Sequence, residues 1–410
     1  MSERASYPAE GTIEPGFEPL ARVFAEHLRT GDEIGAALCV HHRGRPVVDL
    51  WGGVADVTTG RPWRESTRIV VFSVTKGLAA MALNLLADRG RFDWDAPVAT
   101  YWPELAQAGK EGLSARTLFN HRGGLLALSE PLTMDDCLDP ARASHVRGVL
   151  ERQRPAWAPG ETQGYHAVTY GMYARELFER IAGETMGAFL RRELFEPLGA
   201  DVSLGTSSDV DASIATLYPP TIGRRVTGML GAVLRGGDSN EARVARQLVA
   251  RGSFVRGAFG NPRPGPRGMA EYNDVPVRRA ELAWASATAS ARGLSRAYLP
   301  FASGGTFEGR TYLKPETLAP IHRRQSWSER DLVLQKPLGW SQGFLKEETR
   351  LFCPHPESFG HAGMGGALGW SDPVSEITFG YVMNRLDWRV RSPRAVALCR
   401  ALYDCDPLRG

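Results

Sequence analysis

The stretch Ser73-Val74-Thr75-Lys76-Gly77-Leu78-Ala79-Ala80 decides how the rest of this chain is read. It opens a strongly apolar segment, SVTKGLAAMALNLLADRG over 73–90, which predicts a helix starting near Ser73 and ending at Gly90. Positions i and i+3 share a helix face, so the ammonium of Lys76 can reach the hydroxyl of Ser73. A serine hydroxyl is a poor nucleophile unless an adjacent base takes its proton or a nearby charge stabilises the alkoxide. A helix start adds free N–H groups and the positive end of the backbone dipole, both suited to holding an oxyanion. Alone the pattern is weak, because a capping serine followed by an exposed lysine reads the same way. Its context carries the weight.

Upstream, Phe17, Leu20, Phe24 and Leu28 recur at helical spacing and predict an amphipathic helix over 16–30. Two apolar runs follow, Ile34 to His42 and Pro46 to Trp51, split by His-Arg-Gly-Arg in the manner of a β-hairpin. From about 96 to 300 the chain reads as helical fragments and loops, with a Gly/Pro/Arg stretch over 252–268. Strands return at 339–346, 357–364 and Ile377 to Asn384, before a helix over 393–404. Strands at both ends around a helical middle predict one sheet built from both termini, with a helical region inserted between them. The expected division is a sheet domain from 1–95 and 300–410, and a mainly helical domain over 96–299.

Composition removes other classes. The 410 residues are 43% hydrophobic and 23% charged, ordinary values for a globular chain. Net charge is 49 − 46 = +3, too balanced to argue for nucleic acid or an anionic membrane. Cys39, Cys137, Cys353, Cys399 and Cys405 are odd in number and scattered, which fits neither a disulfide framework nor a zinc motif and favours a reducing compartment. The start, Met1-Ser-Glu-Arg-Ala-Ser-Tyr-Pro, lacks an apolar signal core, and no run approaches a membrane span. The expectation is a cytoplasmic protein with no nucleic-acid or membrane partner; its oligomeric state is not legible.

Two further motifs stand downstream. Pro159-Gly160-Glu161-Thr162-Gln163-Gly164-Tyr165-His166-Ala167 is a turn leading to a tyrosine, about 90 residues after Ser73. Phe359-Gly360-His361-Ala362-Gly363-Met364-Gly365-Gly366 is a glycine-dense strand end, where backbone can approach a ligand closely. Serine with lysine, then tyrosine, then a glycine-rich strand is an ordered arrangement. With LLADRGRFDWDAPVATYWPEL (85–105), TLFNHRGGL (117–125) and FGYVMNRL (379–386), the chain resembles the class C β-lactamase and penicillin-binding-protein superfamily, and within it the family VIII carboxylesterases. The resemblance implies an α+β, β-lactamase/transpeptidase-like fold, with a mostly antiparallel sheet flanked by helices. It implies Ser73 as acyl-accepting nucleophile, Lys76 as its activating partner and Tyr165 as proton shuttle. His361 and Gly363 fall where β-lactamases carry Lys-Thr-Gly, and the N–H groups of Ser73 and Met364 would form the oxyanion hole. It implies no metal or organic cofactor, and a small-molecule ester as substrate.

Two departures matter. The second motif of the family reads Tyr-x-Asn or Tyr-x-Ser, but here it is Tyr165-His166-Ala167. His361 replaces a lysine, and an imidazole is a weaker anchor for a lactam carboxylate than an ammonium. Both changes favour neutral esters. Acyl transfer, amide, D-peptide or slow lactam cleavage use the same machinery, and a catalytically silent scaffold is the alternative of another class. His121 reads as structural support, while His166 either tunes the site or faces away. The arginines between Arg224 and Arg279 read as a solvated region rather than a basic flap. Gly339-Trp340-Ser341-Gln342-Gly343 spells GxSxG, the nucleophile elbow of α/β-hydrolases. Without a following helix or a parallel βαβ series it reads as coincidence, a continuing strand and turn.

Overall fold

Apolar residues on both faces of a strand require cover on both sides, and the two central strands of this protein have that composition. In a computed structural model, which describes residues 9–408 apart from 222, 224–226, 229, 232–238 and 347–349, β1 (Glu10–Ile13), β2 (Gly35–His42) and β3 (Arg45–Asp56) form one flank of the main sheet. β2 and β3 meet through Arg43-Gly44, both at positive φ, the backbone a tight two-residue hairpin demands. Beside β2 lies the strand Ile377–Met383, with Gly380 opposite Cys39. The sheet continues through Leu368–Asp372, Phe359–Ala362, Phe344–Leu345, Leu338–Ser341 and Ser326–Ser328, every pairing antiparallel. Both chain ends therefore build one α+β sheet. Helices α1 (Glu18–Arg29) and Pro393–Tyr403 pack together over the sheet. Ala291–Ala297 packs on the two central strands, so closely that a Cβ on Gly380 would stand 2.1 Å from the Ala291 carbonyl oxygen.

Helix α2 (Val74–Asp88) is buried all round, as an evenly apolar helix must be. It crosses the strand Phe359–Ala362, and Gly77 makes that crossing possible: a Cβ there would lie 2.6 Å from the Tyr298 hydroxyl and 3.3 Å from His361 Cβ. A separate three-stranded sheet, Ile69–Val70, Thr288–Ala289 and Val202–Ser203, pins the chain just before α2.

Several expected boundaries shift. The run over 339–346 is not a continuing strand: it breaks at Gln342 (φ 42°) and Gly343 (φ 84°) into a tight hairpin. The strands expected over 357–364 and to Asn384 are Phe359–Ala362 and Ile377–Met383. Leu368–Asp372, Ser326–Ser328 and β1 were not expected at all. Leu368–Asp372 is buried on both faces, so it shows no alternation, and Gly369 reads as a turn residue. The region over 224–279 has a double character. Arg246, Arg251, Arg256, Arg263, Arg267 and Arg279 are exposed, as the solvated reading expected, but apolar residues between them wall a cavity. Arg224, Arg225 and Arg235 fall outside the described residues.

Candidate active site

Ser73 stands immediately before α2, preceded by Phe72 at φ 47°. A bulky residue in the left-handed region is strained, and such strain persists where surrounding structure holds it. Here the Val71 N–H donates to the Ala287 carbonyl at 2.9 Å and the Thr75 hydroxyl accepts the Ala287 N–H at 3.2 Å. The turn is thus fixed on both sides, and Ser73 is left half-buried with its hydroxyl accessible.

Lys76 lies one helical turn on, wholly buried. Its Nζ donates to Ser73 Oγ at 3.0 Å and to the Trp284 carbonyl at 2.9 Å. No carboxylate pairs with it among the described residues. Burial alone pushes its pKa well below the usual lysine range, because a desolvated ammonium lacks the water that stabilises its charge. Tyr165 reaches the same oxygen from across the site, donating from its hydroxyl to Ser73 Oγ at 3.0 Å. The Lys76 ammonium nitrogen is 5.2 Å from the centre of the Tyr165 ring. Three side chains from two distant segments meet at one oxygen.

The backbone around Tyr165 is unusually well held. Its N–H donates to Asp331 Oδ1 at 3.1 Å, and that oxygen also accepts the N–H groups of Val333 and Leu334 at 2.9 and 2.8 Å. Gly164 donates its N–H to the His121 carbonyl at 3.0 Å, and His166 donates its N–H to His121 Nδ1 at 2.9 Å. His121, at φ 60°, turns both acceptors toward the tyrosine loop. Burial, with His166, His361 and Lys76 nearby, holds its pKa well below the usual histidine range. His166 points away from Ser73: Nε2 accepts the Leu125 N–H at 3.0 Å and Nδ1 donates to the Gly164 carbonyl at 2.7 Å. Burial pushes it down to about 4, so it is a neutral brace.

The third segment arrives along the strand Phe359–Ala362. His361 is buried, its ring 6.2 Å from that of Tyr165 and 5.8 Å from that of Trp340, with Nδ1 donating to the Ala362 carbonyl. A Cβ on Gly363 would stand 2.3 Å from the Val71 carbonyl oxygen, so only glycine lets this strand end close on the turn before Ser73. Met364 follows, partly exposed, and lines a cavity of about 380 Å³ together with Phe72, Phe259, Tyr272, Trp284 and Leu334. Ser73 and Tyr165 form part of the same wall, as does Ala362, whereas His361 and Gly363 do not line it.

Sequence reading missed three contributors. Trp340 stacks on Tyr165 at 5.7 Å and 10° and lies 4.0 Å from the His121 ring. It belongs to the GxSxG stretch, whose serine is no part of this site: Ser341 is fully buried and donates to the Pro320 carbonyl at 2.8 Å. The Trp284 carbonyl is backbone and leaves no side-chain signal. Asp331 is a lone aspartate about 166 positions from the loop it holds.

With this geometry in place, the comparison with known proteins is unambiguous at the level of family. Residues 20–400 match the Beta-lactamase family, and the chain belongs to it. Among individual proteins, it is 34% identical over 385 residues to the Esterase/beta-lactamase LipL of Mycobacterium tuberculosis, covering 92% of this chain and 83% of that one. A family VIII carboxylesterase crystal structure superposes with a TM-score of 0.83 at 31% identity, covering 97% of this chain and 99% of the other. A penicillin-binding-protein homologue from Caulobacter crescentus gives a TM-score of 0.83 at 32% identity, with the same coverage. Among the described residues, no helix is long and apolar enough to cross a membrane.

Proposed function

We propose that this protein is a carboxylesterase that hydrolyses small to medium esters through an acyl-enzyme on Ser73. The observation that carries the reading is the convergence of Lys76 Nζ and Tyr165 Oη on Ser73 Oγ, each at 3.0 Å, beside an apolar cavity of about 380 Å³. The cavity size suits a small organic acyl group rather than a polymer, and relatives named as esterases support the same choice.

In this mechanism Lys76 works as a neutral amine, which its burial favours. Ser73 Oγ forms a bond to the ester carbonyl carbon while its proton passes to Lys76 Nζ. Negative charge gathers on the carbonyl oxygen, which the N–H groups of Ser73 and Met364 receive. The C–O bond to the alcohol then breaks, and the alkoxide takes back a proton from Lys76 through the Tyr165 hydroxyl. Water repeats the sequence on the acyl-enzyme: it gives a proton to the same pair, its oxygen bonds the carbonyl carbon, and Ser73 leaves with a proton restored. His361, Gly363 and Trp340 fix the position of the oxyanion strand and the tyrosine. Nothing in the cycle calls for a metal.

The test is hydrolysis of a p-nitrophenyl acyl series by wild type and Ser73→Ala, with nitrocefin alongside. The expected result is ester turnover that vanishes in the variant and little nitrocefin cleavage. No turnover, together with no labelling of Ser73 by a fluorophosphonate, would sink the reading in favour of a silent scaffold.

A further inference from the structure

At the other end of the strand pair that carries His361, a second constellation of chemically active groups stands apart from Ser73. Phe359 pairs with Ser371 and Ala362 with Leu368, so Asp372 and Ala362 lie at opposite ends, roughly 13 Å apart along the strands. Asp372 is wholly buried. Its Oδ1 is engaged by the N–H groups of Val374 at 3.0 Å and Ser375 at 3.4 Å. Its Oδ2 faces His355 Nδ1 at 2.9 Å and accepts from the Tyr403 hydroxyl at 2.9 Å. Cys353 is buried beside them, its Sγ 3.0 Å from the Tyr403 hydroxyl oxygen and accepting from the His355 N–H at 3.4 Å.

We propose that Cys353, His355 and Asp372 form a binding site for one divalent transition-metal ion of the zinc class, which staples the loop before Phe359 to the sheet. The sulfur, nitrogen and oxygen atoms all lie within 4.8 Å of one another. Two ligands of a tetrahedral zinc ion stand about 3.3–3.8 Å apart, so one ion reaches all three after movements of about 1 Å or less. A thiolate, an imidazole and one carboxylate select zinc, cobalt or copper over magnesium and calcium, which take oxygen. Thiolate and carboxylate together neutralise a divalent charge. The Tyr403 hydroxyl, donating to Asp372 at 2.9 Å and lying 3.0 Å from Cys353 Sγ, holds the two ligand heads in place from the C-terminal helix. His355 is one-third exposed (32%), which leaves a path for the ion and a position for water as fourth ligand.

The proton balance is explicit. Burial and the neighbouring Asp372 push the Cys353 thiol up to about 12, so without metal it is protonated. Binding forms metal bonds to sulfur, nitrogen and oxygen and releases one proton from Cys353 per ion, with no redox change.

The experiment uses the full-length protein, stripped with a chelator and titrated with Co²⁺. The expected result is a near-ultraviolet sulfur-to-cobalt charge-transfer band with tetrahedral d–d bands, saturating at one ion per chain and displaced by Zn²⁺. His355→Ala, at a partly exposed position, retains the fold and loses at least about 100-fold in affinity. Cys353→Ser abolishes the charge-transfer band. Ester hydrolysis by His355→Ala stays at the wild-type rate, since this site does not touch Ser73, so the outcome is independent of the esterase reading. Absence of the band in wild type, or a band unchanged in both variants, overturns the proposal.

Discussion

Two buried lysines differ in what surrounds them, and the proposed mechanism turns on that difference. Lys110 and Lys76 are each fully shielded from solvent. Lys110 donates to the carbonyls of Gln107, Glu151 and Gln153 at 3.0, 2.9 and 2.7 Å, which occupies all three of its hydrogens. Burial lowers its pKa, but Glu111 and Glu151 act in the other direction. Lys76 has the Trp284 carbonyl and Ser73 Oγ, and nothing offsets its desolvation. One amine spends every hydrogen on a carbonyl; the other is pushed toward its neutral form and points at a hydroxyl. Two serines repeat the lesson. Ser73 is half-buried at a helix start with two partners able to move protons, whereas Ser341 is spent on a carbonyl inside the sheet.

The serine pair gives the largest expected contrast. Ser73→Ala lowers kcat by about 10⁴-fold or more while the thermal transition is unchanged. Ser341→Ala keeps the rate and costs only about 1 kcal/mol in denaturant unfolding, because the Pro320 carbonyl still accepts the Arg323 N–H at 3.2 Å and Gln325 Nε2 at 3.4 Å. If Ser341→Ala were the dead variant, the site assignment would fail.

The lysines separate in the same two assays. Lys76→Met removes activity by about 10³-fold with only a small loss of stability, because relief of the amine's desolvation offsets the one carbonyl, of Trp284, that loses its donor. Lys110→Met strands the Glu151 and Gln153 carbonyls, the Gln107 carbonyl keeping the Lys110 N–H, and destabilises by about 2–4 kcal/mol, with the folded fraction still active. The pH profile sharpens the distinction. On the proposed mechanism only neutral Lys76 accepts the serine proton, so kcat/KM should rise about tenfold per pH unit below its folded-state pKa and then level. Since burial depresses that pKa, the acid limb lies below the ordinary lysine value of 10.5; a limb at that ordinary value would break the assignment.

A smaller effect tests the brace behind Tyr165. Asp331→Ala removes the acceptor of three N–H groups, and we expect about a 10²-fold loss in kcat from a displaced tyrosine, with KM little changed. Asp331→Asn retains a carbonyl acceptor and should stay within about tenfold of wild type. Burial pushes Asp331 up to about 6 from an ordinary 3.8, so the folded state binds its proton more tightly than the unfolded chain. That stabilisation is complete below about 3.8 and is lost as pH rises through about 6. In Asp331→Asn, this falling component of stability across pH 4–6 should disappear from denaturation curves, and its persistence would assign the slope elsewhere.

Much of this was legible in the chain. The periodicity of Phe17 to Leu28, the hairpin around Arg43-Gly44 and the apolar run after Ser73 specify their elements locally, because spacing and turn chemistry need no distant partner. The joining of both termini into one sheet followed from the order of strands and helices, and the ordered Ser73, Tyr165 and Gly363 motifs led to the family. Leu368–Asp372 was illegible because burial on both faces erases alternation. Trp340, the Trp284 carbonyl and Asp331 were illegible because their roles arise from contacts across up to about 219 positions.

The sequence by itself thus determined which residue types were available for acyl chemistry and where helices and hairpins begin. The tertiary structure alone decided which serine has a basic partner, which lysine has lost its solvation without a counter-charge, and which histidines are braces. Those distinctions are set by burial and by the direction of hydrogen bonds, and both exist only once distant segments have packed against one another.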